Sequence, residues 1–266
     1  NAIAGGWGTL GGGTVDLIIS NILLPYFRDR LFKGNAEMAW RTVSLVPALL
    51  SFFTGIFVYM YSDDTPKGTM QENRERRRDP DVHPLAAFLS ASSDINTWIL
   101  AIHYACCFGV ELTMQLAATY YFQAKFAQSP ESASAISSLF GWMNLFARGF
   151  GGYWSDKLSC THGMRSRLII LATFLILEGI LILIFSQTET LALAIFIMLA
   201  FSFFVQAAEG AVYAIVPYLG QTSMGAVNGI VGAGGNIGAF VFGSVVRTQG
   251  FEKAFLTMGI AVILSS

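Results

Sequence analysis

Long apolar stretches separated by short polar ones dominate the chain. Since a membrane-spanning helix needs about 20 mostly apolar residues, seven stretches are long enough to span and an eighth is shorter. Pro25 is expected to end the first helix, and Pro47 to kink the second. The pattern predicts an all-α membrane protein. The predicted segments are 2–24, 43–61, 97–122, 133–154, 168–185, 191–218, 225–246 and the shorter 254–266.

The longest polar stretch, 62–96, is expected to be a solvated loop and the best domain boundary in the chain. Such loops between spanning segments are usually cytoplasmic. Its basic run is balanced by acidic residues, so nucleic-acid binding is not expected. A shorter charged loop is predicted at 155–167, and basic residues at 25–41 leave the orientation open on charge alone. The basic run consists of Arg74, Arg76, Arg77 and Arg78.

Composition agrees with a membrane protein. Hydrophobic residues make up 54% of the chain and charged residues 12%, against about 25% charged in a typical soluble domain. Cys106, Cys107 and Cys160 form no disulfide framework, because two of them are adjacent within an apolar run. The chain begins and ends inside apolar stretches, so we expect it to be a fragment of a longer protein.

Two glycine-rich tracts lie far apart, GGWGTLGGG at 5–13 and GIVGAGGNIGAFVFG at 229–243. Glycines at small spacings let helix backbones, or a backbone and a ligand, approach closely in a membrane. We therefore expect the two helices to face each other across a solute path. Asn236 is the side chain of the second tract that could bond a small anion. A dinucleotide fingerprint is not indicated, because the first tract follows no strand.

Charged side chains within spanning segments are costly and indicate functional sites. Arg148 carries the sharpest hypothesis, because its planar fork of donors fits a planar anion such as a carboxylate or nitrate. The alternative is a structural ion pair with Glu111 or Glu209. The other charged candidates within spanning segments are Asp16 and Glu178, and His103 joins them.

Helical spacing places Tyr104, Phe108 and Glu111 on one face. Glu209 shares a face with Gln206 and Tyr213, which could also form a polar network between helices. Two of the other candidates are expected to be structural, His103 bonded to a carbonyl and Glu178. Asp16 is expected to line the path or to serve packing.

The glycine tracts, with GGYWSDKL and the RSR that follows it, resemble the major facilitator superfamily. The segments GWGTLGGG, FGVELTM, LFARGFGGYWSD, QAAEGAVYAIVP and VNGIVGAGGNIGAF are similar to its nitrate/nitrite porter family, in the eukaryotic high-affinity branch. The resemblance implies a major facilitator fold in which this fragment covers about helices 5 to 12 of 12. Residues 1–61 would end the N-terminal half, 62–96 would be the central cytoplasmic loop, and 97–266 the C-terminal half.

The loop motif of the superfamily, which is cytoplasmic, matches Gly152, Asp156, Lys157, Gly163, Arg165 and Arg167. In the porter family nitrate lies between two arginines, one from each half. Arg148 matches the C-terminal one, and the other would precede residue 1. The remaining substrate-binding residues that we predict are Tyr104, Phe108, Phe204, Asn236, Gly234, Gly235, Gly8 and Gly11. Thr9 departs from the family, which usually has asparagine there.

The function implied is transport of nitrate or nitrite by proton-coupled symport through alternating access, with Glu111 and Glu209 as candidates for the proton carrier. The alternatives are a porter for another small anion and a nitrate sensor that does not transport. We expect a multi-pass protein of the plasma membrane, surrounded by lipid and aided by a small accessory membrane protein. No enzyme activity, cofactor, metal or nucleic-acid partner is expected.

Overall fold

The structure, a computed structural model, describes residues 2–62, 83–220 and 223–266. These residues are helical with short connections and contain no strand, which confirms the all-α prediction. The basic run at 74–78 lies outside the described residues. The helices are α1 (Ala2–Ile18), α2 (Leu24–Tyr26), α3 (Ala36–Val43), α4 (Leu45–Tyr61), α5 (Pro84–Ser93), α6 (Ile95–Phe126), α7 (Pro130–Trp142), α8 (Ala147–His162), α9 (Met164–Ser186), α10 (Leu191–Ile215), α11 (Met224–Gln249) and α12 (Phe251–Ser265).

Within the described residues, six helical stretches are long and apolar enough to cross a membrane. They correspond to six of the segments expected from hydropathy. They are Ala2–Leu31, Ala36–Tyr61, Ile95–Phe126, Met164–Ser186, Leu191–Tyr218 and Met224–Gln249.

The segment predicted at 133–154 is not one helix, so that prediction was wrong. The 3₁₀ turn Met143–Leu145 divides it into α7 and α8, neither of which reaches 18 residues. Asn144 lies in this turn and directs its side chain to a carboxylate on α6. Asparagine has a lower helix propensity than the apolar residues around it, so a break at this position costs less.

The two prolines act differently from each other. Pro25 does not end the first helix, because helical structure continues to Leu31 through π-helical turns at Ile19–Leu23 and Phe27–Leu31. A proline ring clashes with the carbonyl four residues earlier, and the wider π turn before Pro25 provides the extra room. The kink expected at Pro47 is confirmed as a break at Ser44, between α3 and α4.

Two predicted loops are shorter than expected. The second part of the 62–96 stretch contains α5, and the 155–167 stretch is helical except for Gly163. Gly163 has φ of +66°, a conformation that glycine adopts without the steric cost of a Cβ. Charged residues end up on helices here because the turns of α8 and α9 continue beyond their apolar parts.

Backbone contacts divide the chain into one unit of residues 1–17 and 84–266 and another of residues 18–83. In the first, α6 packs along α11, α10 packs on α8 and α9, and α9 packs on α12. Its core includes an aromatic cluster around Tyr121, Phe185 and Phe255. In the second, α4 exposes most of its large apolar side chains. The division at 61 and 96 stays a prediction.

Candidate functional site

Arg148 lies where the fourth predicted segment is broken. It is the second residue of α8, directly after the turn that ends α7, and its side chain is only 4% exposed. The first N–H groups of a helix lack helical acceptors and carry partial positive charge. The break therefore brings a guanidinium and a helix N-terminus together inside the first unit.

Two partners hold the Arg148 guanidinium. Nη1 lies 2.7 Å from Oε2 of Glu209, and Nη2 donates a 2.9 Å hydrogen bond to the hydroxyl of Tyr104. The Tyr213 ring lies 5.7 Å from Cζ, within range of a cation–π contact. The ion pair considered as an alternative from the sequence is therefore present, and its partner is Glu209.

A second carboxylate lies beside this pair. Glu111 Oε1 accepts hydrogen bonds from Asn144 Nδ2 at 2.6 Å and from Gln115 Nε2 at 3.0 Å. Glu111 and Glu209 are fully buried. The site thus combines one cation with two carboxyl groups.

Stacked aromatic rings form one side of the cluster. Tyr104 and Phe108 stack with centroids 5.0 Å apart and ring planes 8° apart, as their helical spacing predicts. Tyr213 meets Tyr104 edge-on at 5.1 Å. Gly235 of α11 packs against both stacked rings, and a Cβ there would lie 2.6 Å from Phe108 Cδ1. A side chain at 235 would therefore displace the stack.

Glycines of α1 pack against Arg148 and the helix break. A Cβ on Gly5 would lie 3.3 Å from Nε of Arg148, and one on Gly6 would lie 2.7 Å from the carbonyl oxygen of Asn144. The absence of side chains lets the α1 backbone approach both the arginine and the helix break. The first glycine tract thus packs directly against the candidate site.

Comparison with known proteins decides the family. The family profile described as Major Facilitator Superfamily matches residues 1–243. The chain belongs to the major facilitator superfamily. Its apolar helices agree with this membership, and both indicate an integral, multi-pass membrane protein.

Curated relatives within the superfamily are named as nitrate transporters. High-affinity nitrate transporter 2.3 of Oryza sativa subsp. japonica is 34% identical over 99% of this chain and 51% of its own length. In Arabidopsis thaliana, high affinity nitrate transporter 2.5 is 37% identical over 90% of the chain and 47% of its own length. High affinity nitrate transporter 2.7 of the same plant is 32% identical over 91% of this chain and 51% of its own length. These matches confirm the predicted resemblance to the nitrate/nitrite porter family.

The chain spans about half the length of these curated relatives. No solved structure matches it significantly.

Some of the predicted site residues lie at Arg148, whereas others make contacts elsewhere. Asn236 is exposed, and its amide bonds the Gly232 carbonyl of its own helix at 3.0 Å. Gly8 and Gly11 have open space where a Cβ would be, and Gly234 packs on the α6 backbone at Ala101. Phe204 packs against Phe174 and Phe203.

Several residues of the cluster were missed by sequence reasoning. Asn144 and Gln115 bind Glu111, and Gly5 and Gly6 pack on the break. Amide side chains inside spanning segments are the sequence signal that could have identified Asn144 and Gln115. Their partners could not be identified, because spacing along one helix does not show which helices face each other. Gln206 donates a 2.8 Å hydrogen bond to the Phe140 carbonyl of another helix, the kind of contact that the alternative of a polar network between helices describes.

The remaining charged candidates lie away from the arginine contacts. His103 Nε2 lies 2.8 Å from the Ser265 carbonyl, as predicted for a core histidine. Asp16 contacts the Ser137 hydroxyl at 3.4 Å. Glu178 is fully buried, and no hydrogen-bond partner for its oxygens lies among the described residues. No metal-binding group of His, Cys, Asp and Glu occurs in the described part of the chain.

The loop motif of the superfamily forms a clamp. Arg167 Nη1 binds Asp156 Oδ1 at 2.6 Å and the Ala214 carbonyl at 3.2 Å, and Nη2 donates to the Tyr218 hydroxyl at 3.2 Å. The clamp joins the ends of α8, α9 and α10. It therefore holds in place the two helices, α8 and α10, that carry Arg148 and Glu209.

Proposed function

We propose that the chain forms part of a transporter of nitrate or nitrite, with the anion bound at Arg148. The observation that carries the proposal is the buried Arg148 guanidinium, which lies between the aromatic rings of α6 and the glycines of α1. The nitrate transporters named above as relatives support this substrate.

The chemistry of the arginine suits a planar oxyanion. A guanidinium offers parallel N–H donors that match two oxygens of a planar anion, and it stays charged when buried. Burial strengthens this attraction because it removes competing water. The flat faces of Tyr104 and Phe108 offer a surface beside the guanidinium that suits a flat, weakly hydrated ion.

Proton-coupled symport through alternating access is the proposed mechanism. An inside-negative membrane potential opposes entry of an anion by about 2.3 kcal/mol per 100 mV, and a co-transported proton offsets that cost. Glu111 and Glu209 are the candidate carriers, because both are buried beside Arg148. The resemblance supports a second arginine in the other half, a small accessory membrane protein and a plasma-membrane location.

The substrate-site proposal is tested by Arg148→Lys in the complete protein. Lysine keeps the charge and loses the fork, so we expect the apparent nitrate affinity to fall at least about tenfold, which corresponds to about 1.4 kcal/mol. Nitrate uptake into proteoliposomes measures it, with Arg165→Lys as the matched control at an exposed position.

Wild-type affinity in Arg148→Lys would contradict the anion-site role. Competition by nitrite, chlorate and formate in the same assay identifies the substrate. A different anion that outcompetes nitrate would favour a porter for another anion. Nitrate binding without uptake would favour a sensor.

A further inference from the structure

The arginine that would bind the anion is already occupied. Glu209 Oε2 lies 2.7 Å from Arg148 Nη1, and the Tyr104 hydroxyl takes Nη2. A planar anion needs two parallel N–H donors of one guanidinium edge. Glu209 and Tyr104 hold the two nitrogens of the Nη1–Nη2 edge, while Nε lies against Gly5 of α1. An anion that binds the Nη1–Nη2 edge therefore competes with Glu209 for Nη1.

We infer that Glu209 is a proton-operated competitor: its carboxylate holds Arg148 while the site is empty, and a proton on Glu209 releases the guanidinium to the anion. The inference rests on the proposed function and selects between its two candidate carriers. Proton and anion then bind together: the proton frees Arg148 for the anion, and the anion takes from Glu209 the positive charge that kept it ionised. The proton adds to a carboxylate oxygen, and no covalent bond changes.

Backbone packing limits the exchange to side chains. Gly210, next to Glu209, packs so closely on α8 that a Cβ there would overlap the Arg148 carbonyl oxygen. Gly151 makes a similar contact with the Ala207 carbonyl, one turn away. Because α8 and α10 are in backbone contact at the pair and again one turn along α8, we expect Glu209 to leave Arg148 by a side-chain movement and not by a separation of the helices.

Hydrogen bonding favours Glu209 over Glu111 as the carrier. Glu111 accepts hydrogen bonds from two amides, Asn144 and Gln115, so its contacts do not depend on Arg148. In the described part of the chain, Glu209 has no such donor and depends on Arg148 for its charge. When an anion takes the guanidinium, Glu209 would be left as an unpaired buried charge, which binds a proton instead.

Charge balance at the site leads to the same conclusion. Arg148 with two ionised carboxylates carries a net charge of −1, and a bound monovalent anion would make it −2 without a proton. One proton per anion restores the original charge. The balance counts Arg148, Glu111 and Glu209. The other titratable groups near Glu209 are Tyr104 and Cys107 on α6, Glu178 on α9, and Tyr213 on its own helix.

Nitrate binding to the complete protein in detergent, measured by calorimetry over a range of pH, tests the inference. In the wild type, nitrate affinity should fall as pH rises, by up to about tenfold per pH unit for one linked proton. Glu209→Gln imitates the protonated side chain and should bind nitrate at all pH values with the affinity that the wild type shows at low pH.

Three further variants accompany Glu209→Gln. Glu178→Gln is the control, because it neutralises a buried carboxyl group away from the Arg148 contacts and should keep the wild-type pH slope. Glu111→Gln changes the other candidate carrier, so the absolute nitrate affinity is free to change while the pH slope should persist. Glu209→Asp keeps a titratable group and should also keep a slope. A wild-type slope in Glu209→Gln would overturn the inference, and so would loss of nitrate binding in a folded Glu209→Gln protein.

A second measurement needs no variant. Nitrate added to the wild-type protein in weak buffer should cause net proton uptake, detected with a pH-sensitive dye, approaching one proton per nitrate bound. Nitrate binding without proton uptake at any pH would overturn the inference and leave the substrate proposal intact. Absence of nitrate binding at every pH would instead contradict the proposed function.

Discussion

Asn144 links the helix break to the carboxyl groups of the site. Its amide donates the shortest hydrogen bond to Glu111, 2.6 Å, from a turn in which the helical ladder is interrupted. A hydrogen bond to a charged group contributes about 1.5–3 kcal/mol. This residue therefore both marks the break and holds the Glu111 carboxyl group in place.

We expect Asn144→Leu to destabilise the complete protein by about 1.5–3 kcal/mol, because Glu111 loses a donor while still buried. The thermal midpoint in detergent measures the change. Asn236→Leu is the matched control, since Asn236 is exposed and bonds only its own helix. Equal midpoints for the two variants would show that the bond to Glu111 contributes nothing.

Residue chemistry predicted the members of the cluster better than their pairing. The cost of a charge in an apolar run identified Arg148, Glu111 and Glu209. Spacing along one helix left open which carboxylate pairs with the arginine, because that depends on the rotation of α10 against α8. The same limit applies to Asn236, whose exposure follows from the face of α11 that packs on α6.

At the scale of helices, the second glycine tract has two distinct faces. Gly234, Gly235 and Gly238 pack on α6, and a Cβ on Gly238 would overlap the Ala105 carbonyl oxygen. Gly229 and Gly243, at the two ends of the tract, have open space where a Cβ would be. Close approach of α11 to α6 therefore depends on one face of the tract.

Gly238→Ala should separate α6 from α11 and lower stability by about 1–3 kcal/mol, the usual cost of overpacking. Gly243→Ala adds the same methyl group into open space and should change stability by about 0.5 kcal/mol or less. Thermal unfolding of the complete protein in detergent compares them. If Gly243→Ala lowers the unfolding temperature more than Gly238→Ala does, the assignment of Gly238 to the face of α11 that packs on α6 is incorrect.

Helix positions followed from hydropathy, whereas helix continuity did not. The six long spans coincide with apolar runs because backbone groups in lipid must be paired within a helix. The break at Met143–Leu145 and the continuation past Pro25 depend on contacts and turn types that composition does not encode. Both departures occur where a side chain or a proline changes the hydrogen-bond ladder.

At the scale of the whole molecule, the Arg167 clamp and the site lie on the same helices. The clamp holds the ends of α8 and α10, while Arg148 and Glu209 pair further along these helices. Charge counts in the loops left the orientation of the chain open, and the loop motif of the superfamily implies that the clamp faces the cytoplasm.

The native cysteines offer a test of that orientation. Cys160 is exposed near the end of α8, whereas Cys106 and Cys107 are buried in α6. A membrane-impermeant maleimide should label Cys160 in inverted vesicles and not in intact cells that express the complete protein. The signal due to Cys160 is the part that Cys160→Ser removes.

Glu189→Cys in the Cys160→Ser background tests labelling from the other side of the membrane. Glu189 is exposed in the connection between α9 and α10, at the other end of α9 from the turn at Gly163. Because α9 is long enough to cross the membrane, this cysteine should react in intact cells. Reactivity at both positions from the same side would mean that α9 does not span. Reversed labelling of the two positions would place the clamp outside the cell, contrary to the orientation that the motif implies.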